Sequence, residues 1–101
     1  MQRSLSGIKP TATPHLGNHL GMVIPAIALQ KDHDPVYFVA DYHALTTIRD
    51  PALMRQWSYE IAAYFLAFGL DPNRATFFRQ SDVPEVCELQ WLLTCIVNMG
   101  L

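Results

Sequence analysis

Leu5-Ser-Gly-Ile8, Lys9-Pro-Thr-Ala-Thr-Pro14 and His15-Leu-Gly-Asn-His-Leu-Gly21 follow one another near the start of the sequence. The first stretch is short and apolar and reads as a strand. The second carries two prolines, which disfavour helix in the residues before them, and reads as a loop. The third opens a pattern in which Leu16, Leu20, Val23, Ile24, Ile27 and Ala28 recur at spacings of three and four, the period of a helix laid on a sheet. Pro25 falls inside that pattern. Its missing amide hydrogen and its ring predict a bend at residues 21–25.

The same alternation continues outward. Lys31-Asp-His-Asp-Pro35 is a polar turn, and Val36-Tyr-Phe-Val-Ala40 is a continuous apolar run suited to a parallel strand covered on both faces. Asp50 and Pro51 supply a cap and a first-turn proline. Leu53, Trp57, Ile61, Tyr64 and Phe68 then form one stripe, and Gly69 closes the helix. Leu70-Asp-Pro-Asn73 turns the chain, and Ala75-Thr-Phe-Phe78 reads as a third strand. Asp82-Val-Pro-Glu85 has the spacing of a capping box and starts a last helix. That helix carries Val86, Leu89, Trp91, Leu92, Leu93, Ile96, Val97 and Met99, apolar around most of its circumference, so it is expected to be buried on more than one side. The second burial surface belongs to further sequence or to another subunit.

Strand followed by helix, three times over, predicts an α/β fold with a parallel sheet and right-handed crossovers. This is half of a doubly wound, Rossmann-like sheet, incomplete at the carboxyl end. Ligands in such sheets sit past the carboxyl ends of the strands, where strand order reverses. Three strands wound in one direction lack that reversal, so residues 1–101 read as one domain portion carrying half a site.

Composition excludes other classes. Half of the residues are hydrophobic and 16% are charged, which is incompatible with a disordered tail. Apolar stretches are broken within about a dozen residues, short of a membrane span, and the start lacks the apolar core of a secretory signal. A cytoplasmic protein without a membrane anchor is expected. Seven Lys and Arg against nine Asp and Glu leave no basic excess for gripping a nucleic-acid backbone. Cys87 and Cys95 fall on one expected helix, about 12 Å apart, and cannot bridge each other; they read as buried reduced thiols.

The candidate chemistry lies in His15-Leu-Gly-Asn18. Free backbone amides and the helix dipole at a helix start attract phosphate. His15 and Asn18 add polar side chains on neighbouring positions of the first turn, and Gly17 leaves room for a flat base. The pattern is neither a G-x-G-x-x-G nor a Walker-type loop, and His and Asn are also ordinary helix caps. His15 and His19 are spaced to share a metal, but Leu16 stands where a zincin has Glu and no third ligand is near, so no metal is predicted. His19 reads as a surface or pocket-rim residue. His43 follows a buried strand and an Asp, which is either a structural hydrogen-bonding position or the rim of a pocket. Trp57, Tyr59, Tyr64, Phe65 and Phe68 read as core packing rather than as a base-stacking surface.

Several segments together carry a resemblance. Ser6-Gly-Ile-Lys-Pro-Thr11, His15-Leu-Gly-Asn18, Phe38-Val-Ala-Asp-Tyr-His-Ala-Leu-Thr46, Gln80-Ser-Asp-Val-Pro84 and Trp91-Leu-Leu-Thr-Cys-Ile-Val97 occur in the order and spacing of bacterial tryptophanyl-tRNA synthetases. The chain resembles the amino-terminal part of the catalytic, ATP-binding domain of these class I enzymes over nearly its whole length. What the resemblance implies is activation of tryptophan with ATP and transfer to tRNA(Trp). His15 and Asn18 would act catalytically on the phosphates, and Gly17 would lie against adenine. Lys9, Pro10 and Thr11 would approach ATP, with Mg2+ arriving on the nucleotide. Leu5, Gly7 and His43 would line the tryptophan pocket. A homodimer through the helix after Asp82 is also implied.

Departures are Lys9 where the family usually has Gln and Ala12 where it usually has Gly. The sequence as given also ends at Leu101, before any KMSKS loop, so the chain is expected to be unable to form tryptophanyl-adenylate alone. Two other readings stand beside this one. An H-x-G-H type nucleotidyltransferase would use a similar helix start, although Asn18 and Ala-Asp-Tyr-His-Ala-Leu-Thr favour the synthetase. A non-catalytic, synthetase-like assembly module would associate through its last helix.

Overall fold

The computed structural model describes residues 1–98 and 100; Met99, placed above on the last helix, lies outside them. Three strands, β1 (Gln2–Ile8), β2 (His33–Val39) and β3 (Thr76–Arg79), form one parallel sheet in the order β1-β2-β3. Leu5 aligns with Val36, Gly7 with Phe38 and Ile8 with Val39, while Phe77 and Phe78 align with Tyr37 and Phe38. β2 starts three residues earlier than its apolar run, at His33, and includes the buried Pro35. β3 pairs only from Val36 onward, so at Pro35 the strand has a single neighbour and tolerates a residue with no N–H.

The connection from β1 to β2 contains a short helix α1 (Leu16–Asn18), a π-turn over His19–Val23 and helix α2 (Ile24–Leu29). The irregularity falls just before Pro25. There the Ile24 amide reaches back five residues to the His19 carbonyl, so the widened turn absorbs the proline's missing bond. After β2 come α3 (Asp41–Ala44) and α4 (Pro51–Ala67), and after β3 a tight turn over Gln80–Asp82 and α5 (Glu85–Thr94). Asp50 caps α4 by accepting from the amides of Ala52 and Leu53 at 2.8 and 3.3 Å. Gly69, at φ +106°, ends that helix in a conformation that disfavours any residue with a Cβ.

Both crossovers lie on the same face of the sheet. Val23 and Ala26 from the first, Ile61 and Phe65 from the second, and Ile8, Tyr37 and Val39 from the strands make one core with Leu70 and Ala75. Buried Tyr37 satisfies its hydroxyl by donating to the Ala26 carbonyl at 2.9 Å. The expectation that β2 is covered on both faces is therefore corrected. Pro35, Tyr37 and Val39 are buried, whereas Val36 and Phe38 are only half-buried, because no crossover lies over them.

Further expectations change. The buried seam of α4 runs through Ser58, Ile61 and Phe65, not through Leu53 and Phe68, which are exposed. Two adjacent stripes of α4 are both apolar, and periodicity alone does not choose between them. Tyr59 is also exposed, so it is not a core residue. The box at Asp82-Val-Pro-Glu85 does not form: Pro84 precedes α5 without a side-chain cap, because the Asp82 carboxylate is held by Arg79. Finally, α5 contributes no buried residue; Val86, Leu89, Leu92, Leu93, Ile96 and Val97 are exposed, and so is Cys95, while Cys87 is half-buried. The predicted covering of this helix is not supplied within the described residues, so its thiols are not core groups.

Candidate active site at the carboxyl ends of the strands

The three strands point the same way, and the segments that leave their carboxyl ends are laced together. After β1, the Ile8 carbonyl accepts from the Ala40 amide at 2.8 Å, and the Lys9 ammonium donates to the Thr46 hydroxyl at 3.1 Å. Thr46 in turn donates to the His43 carbonyl at 2.8 Å. The His43 amide donates to Gln80 Oε1 at 3.3 Å, beyond β3. The Asp41 carboxylate accepts from the Ser81 amide at 3.0 Å and also from the Ser81 hydroxyl. Lys9 and His43, the latter through its backbone, are thus brought into one network, with Asp41, Thr46, Gln80 and Ser81 as members that the sequence reading quoted within motifs but gave no site role. The available signal was a polar residue directly after an apolar strand, as Asp41 follows the run ending at Ala40.

His15, Gly17 and Asn18 form the second group. His15 is the extended residue before α1; its Nδ1 accepts from the Gly17 amide at 3.1 Å, and its own amide donates to Asn18 Oδ1 at 3.2 Å. This reciprocal pair is a capping box built from His and Asn. A Cβ on Gly17 would fall 2.9 Å from the His15 ring, so the space above that glycine is already taken by the imidazole. Pro10 is fully buried and Thr11 is exposed, its amide donating to the Lys9 carbonyl at 3.0 Å.

Leu5 and Gly7 lie on the uncovered face of the sheet. Leu5 is 67% exposed, and the Phe38 ring lies so close over Gly7 that an added Cβ would sit 2.5 Å from its Cζ. Among the described residues no hydrogen bond joins the His15 group to the His43 group. His19 is half-buried at the rim of a shallow pocket, where its ring packs against Tyr64 and Phe68, with centroids 5.7 and 4.4 Å away.

A groove of about 560 Å3 lies between α4 and β3 and reaches Asp41 of the strand-end network, with Met54, Ser58, Tyr59, Phe77 and Arg79 also in its lining; Leu5, Gly7, Lys9, Pro10, Thr11, His15, Gly17, Asn18 and His43 do not border it. Nearby, Arg79 donates to Asp82 at 2.7 and 3.2 Å, and this hydrogen bonding holds the Asp82 carboxyl below, and the Arg79 guanidinium above, their ordinary values. Among the described residues no group of three or more His, Cys, Asp or Glu could hold a metal, and no helix is long and apolar enough to cross a membrane.

The chain matches known proteins over nearly its whole length. The family model for class I tRNA synthetases (W and Y) covers residues 2–101. The chain belongs to this family. It is 56% identical to a tryptophan–tRNA ligase of Pseudomonas aeruginosa and 54% identical to one of Bordetella pertussis, in each case over 98% of this chain and 22% of the relative. Among solved structures, tryptophanyl-tRNA synthetase of Campylobacter jejuni, complexed with ADP and tryptophan, superposes with a TM-score of 0.90 at 38% identity, over 98% of this chain and 31% of that one. The enzyme of Mycoplasma pneumoniae gives 0.91 at 37% identity, over 99% and 30%. The class I synthetase half-sheet read from the sequence motifs is the fold observed. The chain spans between about a fifth and a third of the length of these relatives.

Proposed function

We propose that residues 1–101 are the amino-terminal part of the catalytic, ATP-binding domain of a tryptophan–tRNA ligase. The reaction is attack of the tryptophan carboxylate on the α-phosphorus of ATP, with loss of pyrophosphate, followed by transfer of the aminoacyl group to tRNA(Trp). The observation that carries this reading is the orientation of the His15–Asn18 box. Nδ1 of His15 and Oδ1 of Asn18, the acceptors, are both used inside the cap. What remains is a pair of donors: in the neutral imidazole the proton is left on Nε2, and the Asn18 amide retains its N–H groups. A cap that consumes acceptors and leaves donors suits an anion, so capping and phosphate binding are compatible roles for the same residues. Such donors, held in place before the reaction, stabilise charge as it develops on the phosphates without costly rearrangement.

In this reading the loop of Lys9, Pro10 and Thr11 approaches ATP, whose Mg2+ comes as part of the substrate. Lys9 is steered by its bond to Thr46, and buried Pro10 fixes the backbone. Gly17 gives way first to the His15 ring and so borders the adenine through that ring. Leu5 and Gly7 on the uncovered face, and His43 beyond β2, form one wall of the tryptophan pocket. β1 is an edge strand here, and in a doubly wound sheet the reversal of strand order falls beside the first strand, so the opposite wall joins there. The bare apolar face of α5 fits a homodimer contact, and the setting is the cytoplasm.

Exchange of labelled pyrophosphate into ATP, dependent on tryptophan, tests the reading. The complete ligase polypeptide is expected to catalyse it, His15→Ala is expected to lower kcat by about 100-fold, as loss of oriented donors does, and the 101-residue chain alone is expected to be inert. Exchange by the isolated chain, or an unaffected His15→Ala enzyme, overturns it. A non-catalytic assembly module is the second reading, favoured by the exposure of α5. Sedimentation of the chain as a monomer at all concentrations counts against both the module and the dimer contact.

A further inference from the structure

The segment that carries the proposed phosphate donors is tied down at both ends to one stripe of α4. On its amino-terminal side, the Thr13 hydroxyl donates to Glu60 Oε2 at 2.8 Å, and Gln56, one turn earlier on α4, donates to the other oxygen of the same carboxylate at 2.8 Å. On its carboxyl-terminal side, the His19 ring meets Phe68 at 4.4 Å and Tyr64 edge-on at 5.7 Å, while Tyr64 and Phe68 stack at 4.6 Å. Glu60, Tyr64 and Phe68 are spaced four apart and share one face of the helix. Of this stripe only Tyr64 reaches the core, half-buried at its edge, whereas Phe68 is exposed on the core's outside and spends its ring on His19 and Tyr64.

The segment needs such support. The first turn runs through the π-turn into α2 as one helical path over residues 16–29, and the widened hydrogen bonding of that path falls directly behind the His15–Asn18 donors. From this geometry we infer that Glu60 and His19 are positioning residues for the His15–Asn18 donors: α4 is a rail on which Glu60 clamps the loop through Thr13 and the Tyr64–Phe68 pair seats His19, fixing where the donors point. The inference rests on the proposed reaction for its consequence, not for its geometry. Hydrogen bonding from Gln56 and Thr13 also keeps the Glu60 carboxyl below its ordinary value.

Glu60→Ala, His19→Ala and His19→Phe in the complete polypeptide test it, with two readouts. In pyrophosphate exchange, His19→Ala is expected to lower kcat by about tenfold and Glu60→Ala by about fivefold, effects of the size that misplacement of oriented groups produces, with the tryptophan KM within about twofold. His19→Phe, which keeps the ring contacts, is expected to recover most of the loss. The double variant is expected to lose less than the product of the single losses, because both anchors hold one unit. In amide hydrogen exchange, Gly17 and His19 are expected to lose protection in both Ala variants while Ile61 and Phe65 keep theirs.

Unchanged kcat in an active enzyme overturns the rail. So does a loss shared equally by Ile61 and Phe65, or one that His19→Phe does not relieve, since either marks general destabilisation. If the wild-type polypeptide shows no exchange activity, the proposed reaction fails, and the amide protection of Gly17 and His19 alone decides the rail.

Discussion

The two faces of the sheet are made from the same three strands and have opposite fates. On one face Tyr37 and Val39 are 1% exposed beneath α2 and α4. On the other, Leu5 stands out in solvent and Phe38 is half-buried over Gly7. Local preference does not separate them, because both faces carry apolar residues that suit a strand. Topology does: strands added in one direction with crossovers of one hand place every crossover helix on the same side. The covered face is where stability is made, and the uncovered one is where a ligand or further protein can approach.

Large-to-small substitutions break or sharpen that contrast most directly. Phe65→Ala, at a site with no exposure and in contact with Phe77, is expected to cost about 3–5 kcal/mol in urea unfolding. Leu5→Ala is expected to cost less than about 0.5 kcal/mol, as exposed substitutions do, and to raise the tryptophan KM of the complete enzyme. Equal costs at the two positions would make the open face a second core. Gly7→Ala comes next. Its Cβ would overlap the Phe38 ring, so a loss of about 1–3 kcal/mol is expected, relieved when Phe38→Ala is added. If the double variant stays as weak as Gly7→Ala, the overlap is not what the glycine avoids.

Asp50→Ala is a smaller test, on the covered side. The residue caps α4 with two accepted amides, and its loss is expected to cost about 1 kcal/mol. The effect is expected on stability only, with no change in the protection of Gly17 relative to Ile61. A selective loss at Gly17 would instead mean that the amino end of α4, and not its 60–64–68 stripe, governs the turn.

How much of this was legible beforehand divides along the same line. The alternation of elements, the cap at Asp50, the closing Gly69 and the disturbed turn before Pro25 follow from local chemistry and are all present. Which stripe of α4 is buried was not legible, since Ile61 fits a seam with either Phe65 or Tyr64. The failed cap at Asp82 shows the limit from another side. The pattern has the spacing of a box, but the Asp82 carboxylate turns back to Arg79, accepting from both its guanidinium and its amide, and a charge-assisted pair of this kind leaves nothing for the start of α5. At the candidate site, His15, Gly17 and Asn18 were readable as a constellation from their spacing. The lacing of Lys9, Thr46, His43 and Gln80 joins residues far apart in sequence, and only the parallel register brings them together.

The mildest test concerns acid. Glu60 ties the turn to α4 while fully ionised, and its folded-state pKa lies below the ordinary glutamate value, chiefly through the Gln56 hydrogen bond and then through Thr13. A depressed carboxyl contributes stability that is present above the unfolded value and disappears as pH falls through the folded one. The difference in unfolding midpoint between wild type and Glu60→Gln is therefore expected to be constant above about pH 5 and to shrink towards zero in stronger acid. The carboxylate is solvent-exposed, so the difference is small and belongs to the turn rather than to the core. Asp82 behaves with the same sign, through Arg79, but sits at the root of α5 with no link to Thr13. Asp82→Asn should thus reproduce the acid dependence of stability while leaving Gly17 protection untouched. If both variants loosen Gly17 alike, the surface carboxylates act on the whole chain and the selective hold of α4 on the turn is lost.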